Sequence, residues 1–95
     1  MDGYTKISEI HQYMRDIDIK GKIVDMNAFM LLVNDKTGQT FIRYSQKFRS
    51  ANERRMLLEN LKIGNNVKIT NCEVVNYHGI LQLRLTRKGQ ITKIT

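Results

Sequence analysis

Hydrophobic and polar side chains alternate along residues 66–94, which read as two strands joined by a tight turn. In the second run the two alternating sets are Leu81, Leu83 and Leu85 on one side and Gln82, Arg84 and Thr86 on the other. Alternation with a period of two is typical of a strand that buries one face. The turn at residues 76–79 ends in Gly79, which supplies the permissive backbone that a hairpin needs. We therefore expect a hairpin with an apolar inner face and a polar outer face.

Residues 17–26 predict the first strand of the chain. Ile17, Ile19 and Ile23 share one face, but the apolar positions change phase after Gly21. A strand that changes its buried face beside a glycine is bulged or strongly coiled, and small barrels need such a device to close. The pattern therefore favours a barrel.

The middle of the chain predicts two more strands and one helix. The strands cover residues 29–34 and 39–45, with a glycine-containing turn between them. Ser50 and Glu53 have the spacing of a capping box, which predicts a helix over residues 51–62. The apolar stripe of this helix is expected to plug one end of the barrel.

The third strand can turn either of two sets of side chains toward the core. The sets are Thr40, Ile42 and Tyr44, and Phe41, Arg43 and Ser45. We predict that Ile42 faces the core, because burying Arg43 without a partner would be costly. This phase leaves Phe41 beside Arg43 on the outer face. The opposite phase would make Phe41 a core residue and Tyr44 the outer ring.

The predicted order is three strands, a helix and two strands. Five short strands with a helix between the third and the fourth predict an all-β protein with the OB-fold, a five-stranded Greek-key barrel. Residues 1–95 are expected to form a single domain of this kind, with a loose arm over residues 1–6.

Charge and composition narrow the class of partner. The net charge is +7 and the isoelectric point about 9.8, a bias that favours polyanions. No apolar run reaches the roughly 18 residues of a membrane span, and the N-terminus has no signal-peptide pattern. The single cysteine, Cys72, lies among apolar residues and is predicted to be a buried core residue. These features predict an intracellular protein, cytoplasmic in a prokaryote or nuclear in a eukaryote.

No catalytic constellation is recognisable in the chain. His11 and His78 are far apart, and neither stands in a metal-binding spacing with Cys72. Neither the phosphate-binding loop motif nor the nucleophile-elbow motif occurs. We therefore predict a protein that is not an enzyme and needs no cofactor and no metal.

The C-terminal hairpin also resembles a known family. The stretch Y-H-G-I-L-Q-L-R-L-T-R-K-G-Q-I-T-K-I, residues 77–94, is similar to the end of the OB domains of archaeal replication protein A and related single-stranded DNA-binding proteins. Their pattern is an aromatic residue, one residue, a glycine, an alternating L-Q-L, and then R-x-G-x-I-x-K-I. Residues 35–38 resemble the D-x-T-G turn of that family, and residues 17–23 resemble its first strand. The resemblance covers nearly the whole chain.

This resemblance implies binding of single-stranded DNA, with rings that stack on bases and basic side chains that contact phosphates. The last binding aromatic of the family corresponds to Tyr77. Its strand-three aromatic falls on Ser45, or on Tyr44 after one deletion, and its strand-four aromatic falls on Glu73. The loop between the first two strands, at residues 27–28, is shorter than in most members. The predicted nucleic-acid-binding residues are Lys20, Lys22, Phe41, Arg43, Tyr44, Tyr77, Gln82, Arg84 and Arg87.

Three functions follow from these residues. The first is non-catalytic binding of single-stranded DNA by an OB domain of the replication protein A type, alone or beside other OB-fold domains or subunits. The second is a protein-interaction subunit of a replication or telomere-type complex, which Glu73 and the two-sided apolar strand at residues 29–33 favour. The third is RNA binding, because base stacking does not report the 2′-hydroxyl group.

Overall fold

Five strands close into a barrel in the computed structural model, which describes residues 3–45 and 47–94. The strands are β1 (Ile17–Met26), β2 (Met30–Asn34), β3 (Gln39–Arg43), β4 (Asn66–Tyr77) and β5 (Ile80–Lys93), with helix α1 (Ala51–Asn60) between β3 and β4 and a short 3-10 turn (Ile7–Glu9) before β1. Neighbouring strands follow the order β1-β2-β3-β5-β4, and β4 closes on β1. Only β3 and β5 are parallel among these pairs. This is the predicted OB-fold.

Strand β1 is bulged where the apolar pattern changes phase. Its register against β2 shifts between Ile23 and Asp25, shortly after Gly21. A Cβ atom at Gly21 would lie 2.6 Å from Cγ1 of Val33 and 2.7 Å from the carbonyl oxygen of Asn34. The predicted bulge is confirmed, and glycine is required because β2 crosses too close for a side chain.

The core settles the phase of β3. Ile42 and Tyr44 are fully buried, and Phe41 is 36% exposed. The prediction that Ile42 faces inward is therefore confirmed. Cys72 is also fully buried, as predicted. Burial, together with the nearby Asp18 carboxylate, raises the pKa of the Cys72 thiol to about 12, so the thiol is not a nucleophile at neutral pH.

Helix α1 begins with the predicted capping box. The Ser50 hydroxyl accepts a hydrogen bond from the backbone N–H of Glu53 at 3.1 Å, and the Glu53 carboxylate accepts one from the backbone N–H of Ser50 at 3.4 Å. The helix ends at Asn60, two residues before the predicted end, because Leu61 has extended backbone angles.

The helix was predicted to plug one end of the barrel, but none of its residues is buried. Leu57 and Leu58 pack against the core only in part, whereas Leu61, just beyond the helix, is 4% exposed. The residue that follows the helix, and not the helix itself, is therefore the one inserted into the core.

The N-terminal turn is attached to the turn between β2 and β3. Ile7 is buried in the core, and its backbone N–H donates to Oδ2 of Asp35 at 2.8 Å. Oδ1 of Asp35 accepts from the backbone N–H and the hydroxyl of Thr37, at 2.8 and 2.6 Å. Of the arm predicted over residues 1–6, residues 1 and 2 lie outside the described residues, and the backbone N–H of Thr5 donates to the carbonyl of Asp18.

Replacing Asp35 with asparagine is expected to make the protein less stable at neutral pH by about 1–2 kcal/mol. Hydrogen bonds to a charged group contribute about 1.5–3 kcal/mol, and asparagine keeps one of the two acceptor oxygens. Burial raises the pKa of the Asp35 carboxyl, but the hydrogen bonds from Thr37, Ile7 and Gly38 outweigh it and hold the pKa below its ordinary value. The stabilisation is therefore present above the unfolded-state pKa and is lost as pH falls through the lowered pKa of the folded state. Urea unfolding at pH 7 and pH 3 measures this difference, with Asp25→Asn as the control. Equal losses for the two variants at pH 7 would contradict the assignment.

Candidate nucleic-acid interface

The outer faces of β3, β5 and β4 form one continuous surface. We use the name stacking face for its residues Phe41, Arg43, Gln82, Arg84, Glu73 and Tyr77. Parallel pairing places Arg43 of β3 beside Arg84 of β5. Antiparallel pairing then places Glu73 of β4 beside Arg84. The closure of the barrel thus brings together side chains from three separate parts of the chain.

Arg43 and Tyr77 form the centre of the stacking face. The guanidinium carbon of Arg43 lies 4.3 Å from the centroid of the Tyr77 ring, a cation–π contact. Nε of Arg43 donates to Oε1 of Gln82 at 2.9 Å, which orients the guanidinium. The Tyr77 side chain is still half exposed, at 50%. The pair presents a ring and a positive charge together on the surface.

A tight hairpin turn holds Tyr77 in place. His78 and Gly79 both have positive φ, at 54° and 86°, and the backbone N–H of Gly79 donates to Oδ1 of Asn76 at 2.7 Å. The His78 ring packs edge-on against the Tyr77 ring, with centroids 4.7 Å apart. His78, which the sequence placed only in a turn, thus belongs to the surroundings of the predicted stacking ring.

Arg84 is already paired with an acidic side chain. Its Nε and Nη2 atoms donate to Oε1 of Glu73 at 2.8 and 2.5 Å. About a third of each side chain is exposed, so the ion pair is accessible from solvent. The charge of Arg84 is offset by this partner, whereas the Arg43 guanidinium contacts the neutral side chains of Gln82 and Tyr77.

Tyr44, which was included among the predicted binding residues, is a core residue. Its ring is fully buried, and its hydroxyl donates to the carbonyl of Asn27. Burial raises the pKa of this hydroxyl, although the charge of Arg54 opposes the change. No base can stack on this ring, because Tyr44 continues the alternation of β3 and lies on the inward side with Thr40 and Ile42. Including Tyr44 was therefore wrong.

The remaining predicted residues lie apart from the stacking face. Lys20 and Lys22 are on β1, and the ammonium group of Lys20 lies 4.7 Å from the centroid of the Tyr4 ring. Arg87 is exposed on β5 beyond Leu85, where the pairing with β4 becomes irregular. Its carbonyl accepts a hydrogen bond from the Lys47 ammonium group at 2.7 Å. The structure therefore brings together five of the nine predicted residues.

Neither a metal site nor a membrane helix occurs in the part of the chain that the structure describes. Within residues 3–45 and 47–94, no three His, Cys, Asp or Glu side chains lie close enough together to hold a metal ion. No helix in the same residues is long and apolar enough to cross a membrane.

Comparisons with known proteins identify relatives by structure only. No protein-family model and no curated protein sequence matches the chain. An OB domain of a Methanosarcina mazei protein superposes with a TM-score of 0.72 at 17% identity, covering 100% of this chain and 87% of that one. A replication factor A related protein from Methanobacterium thermoautotrophicum gives a TM-score of 0.67 at 11% identity, with 96% and 90% covered.

A third similar structure is fission yeast Pot1 with single-stranded DNA, at a TM-score of 0.71 and 10% identity. The match covers 96% of this chain but only 39% of the Pot1 chain, and this chain spans about half of three further matched chains. These similarities confirm the OB-fold and the predicted resemblance to archaeal OB domains.

Proposed function

We propose that the chain binds single-stranded nucleic acid, with DNA as the first choice, through the stacking face and without catalysis. The observation that carries the proposal is the Arg43 guanidinium lying 4.3 Å from the half-exposed Tyr77 ring. A ring of this kind offers a stacking surface to a base, and the adjacent cation can contact a phosphate. Phe41, partly exposed two residues before Arg43 on the same strand face, supplies a second ring.

The charge and the structural relatives support the proposal. A net charge of +7 on 95 residues attracts polyanions over the whole surface. Pot1 with single-stranded DNA and the replication factor A related protein have the same fold, and they support the proposal beside the residues of the stacking face, because a fold alone does not determine function. We also propose an intracellular location, where a nucleic-acid partner would be found.

The strength of binding follows from the size of the site. Two partly exposed rings can hold only a few nucleotides, so a lone domain should bind with modest affinity. We propose that residues 1–95 form one OB unit that gains affinity when it acts beside other OB-fold domains or subunits.

A titration with fluorescent dT and rU oligomers of about 8–20 nucleotides, at two salt concentrations, tests the proposal. We expect binding that prefers single strands over duplex and weakens with salt, because phosphate contacts release counterions. The comparison of dT with rU separates DNA from RNA. A folded protein that binds neither oligomer at tens of micromolar would overturn the proposal.

A protein-interaction role is the second candidate. The Glu73–Arg84 ion pair removes one positive charge from the stacking face, and Met56 and Ile63 are 54% and 61% exposed near the helix. Exposed apolar side chains mark a protein interface when they form one contiguous patch. Absence of oligonucleotide binding in the titration would favour this role.

A further inference from the structure

We infer that the chain has a second surface for the nucleic acid, which contacts phosphates and not bases. This surface, the β1 groove, is an open groove of about 530 Å³ whose lining includes Lys20, Lys22, Lys36, Asn34 and Asp35. The inference rests on the proposed function, since the polyanion is taken to be the same strand that occupies the stacking face.

The β1 groove lies at the opposite end of the barrel from Tyr77. Lys22 pairs with Asn34, the last residue of β2, and with Asn66, the first residue of β4. Tyr77 is the last residue of β4. The two surfaces are therefore separated by the length of β4, so a strand that reaches both must be longer than the few nucleotides that the rings hold.

The positive charges of the groove lack acidic partners. Lys20 of β1 lies directly opposite Lys68 of β4, and like charges in this arrangement repel each other. In residues 3–45 and 47–94, the ion pairs found are Arg55–Glu59 and Arg84–Glu73, so none includes a lysine of the groove. A polyanion in the groove would relieve the repulsion and supply the missing counter-charge.

The one carboxylate that lines the groove is engaged elsewhere. Both oxygens of Asp35 accept hydrogen bonds, from the backbone N–H of Ile7 and from the backbone and side chain of Thr37. Asp35 therefore serves the turn between β2 and β3, and three lysines line the groove against this single carboxylate.

The chemistry of the groove suits a phosphodiester backbone. Lysine ammonium groups act as point charges that bind phosphate without a fixed geometry. No aromatic side chain is among the described residues that line the groove, and the nearby Tyr4 ring has the Lys20 ammonium group over one of its faces. Contacts of this kind position a strand without reading its sequence.

The test compares two double variants that each lower the net charge by two. Lys22→Gln with Lys36→Gln changes the groove, and Arg55→Gln with Lys62→Gln changes exposed positions of the helix and the segment after it. Each is titrated with dT oligomers of about 4 and about 16 nucleotides, the limits of the range that one OB domain covers.

For the groove variant we expect the longer oligomer to bind more weakly. The plot of log binding constant against log salt concentration should also be less steep by about 1.4, because each of the two lost phosphate contacts contributes about 0.7 for a single strand. The shorter oligomer should bind both variants alike, since it fills only the stacking face. Equal behaviour of the two variants at both lengths would overturn the inference and leave the proposed function intact. So would a loss of binding by the groove variant that is as large for the short oligomer as for the long one.

If the wild-type protein binds neither oligomer, the proposed function fails and inorganic polyphosphate becomes the probe. Weaker polyphosphate binding by the groove variant than by the control variant supports a phosphate-contacting groove. Equal binding by the two variants, or no binding by the wild-type protein, overturns it.

Discussion

Replacing Gly21 with alanine is expected to lower the free energy of unfolding by about 2–3 kcal/mol, a typical loss when an atom is forced into a closely packed site. The new Cβ atom would lie 2.6 Å from the Val33 side chain and 2.7 Å from the backbone carbonyl of Asn34. The carbonyl belongs to the paired strand β2, so it cannot move away without disturbing the barrel. Urea unfolding followed by circular dichroism measures the loss.

Gly38→Ala is the matched control for this variant. A Cβ atom at Gly38 would be no closer than 3.4 Å to its neighbours, an ordinary contact distance, and Gly38 does not have the positive φ that would strain an alanine. Gly38→Ala should therefore change stability by less than about 1 kcal/mol. A small loss for Gly21→Ala, similar to that of the control, would show that β1 and β2 can separate at this point.

Replacing Tyr77 with alanine is expected to weaken the binding of dT oligomers by roughly 10- to 100-fold. Stacking of a base on an aromatic ring contributes about 1–3 kcal/mol, and the substitution also removes the ring on which Arg43 lies. Fluorescence anisotropy at fixed salt measures the change, and the circular dichroism spectrum checks the fold.

Two control variants sharpen this test. Tyr77→Phe keeps the ring and should retain most of the affinity, whereas Tyr13→Ala removes an 85% exposed ring outside the stacking face and should have no effect. The salt dependence should be nearly the same in Tyr77→Ala as in the wild type, because no charge is removed. Unchanged affinity in a folded Tyr77→Ala variant would exclude this ring from the site.

Much of the fold could be predicted because local patterns were consistent with it. The alternation of leucines in β5, the Ser50–Glu53 capping box and the phase change after Gly21 each depend on neighbours in the chain. The burial of Ile42 followed from the cost of burying an arginine. These features act within one element, so their signal is present in the sequence.

The candidate site was harder to predict because it depends on closure of the barrel. The Arg43–Tyr77 contact joins β3 to β4 across β5, and no local pattern specifies which distant strands become neighbours. The alternation of apolar and polar residues in β1 indicates that Lys20 and Lys22 point outward. It does not indicate on which side of the barrel they lie. The sequence therefore grouped residues that the fold separates.

One missed contact was within reach of the sequence. The two-residue turn at His78 and Gly79 pairs Tyr77 with Ile80, and counting back along both strands pairs Glu73 with Arg84. The ion pair follows from that register, because opposite charges that face each other on neighbouring strands attract. Tyr44 shows the reverse error. The one-residue gap that the resemblance permitted puts a binding ring at a position that faces inward with Ile42.

The parallel pairing of β3 with β5 is the seam of the barrel. It joins Ile42 with Leu83 and Arg43 with Arg84, whereas β4 and β5 are paired along most of their length. A short pairing between distant parts of a chain opens more readily than a long hairpin, so amide protons along this seam should exchange with solvent earlier than those of the hairpin. A strand of nucleic acid that contacts both Arg43 and Arg84 would hold β3 and β5 together from outside. The barrel would then be more rigid with nucleic acid bound than without it.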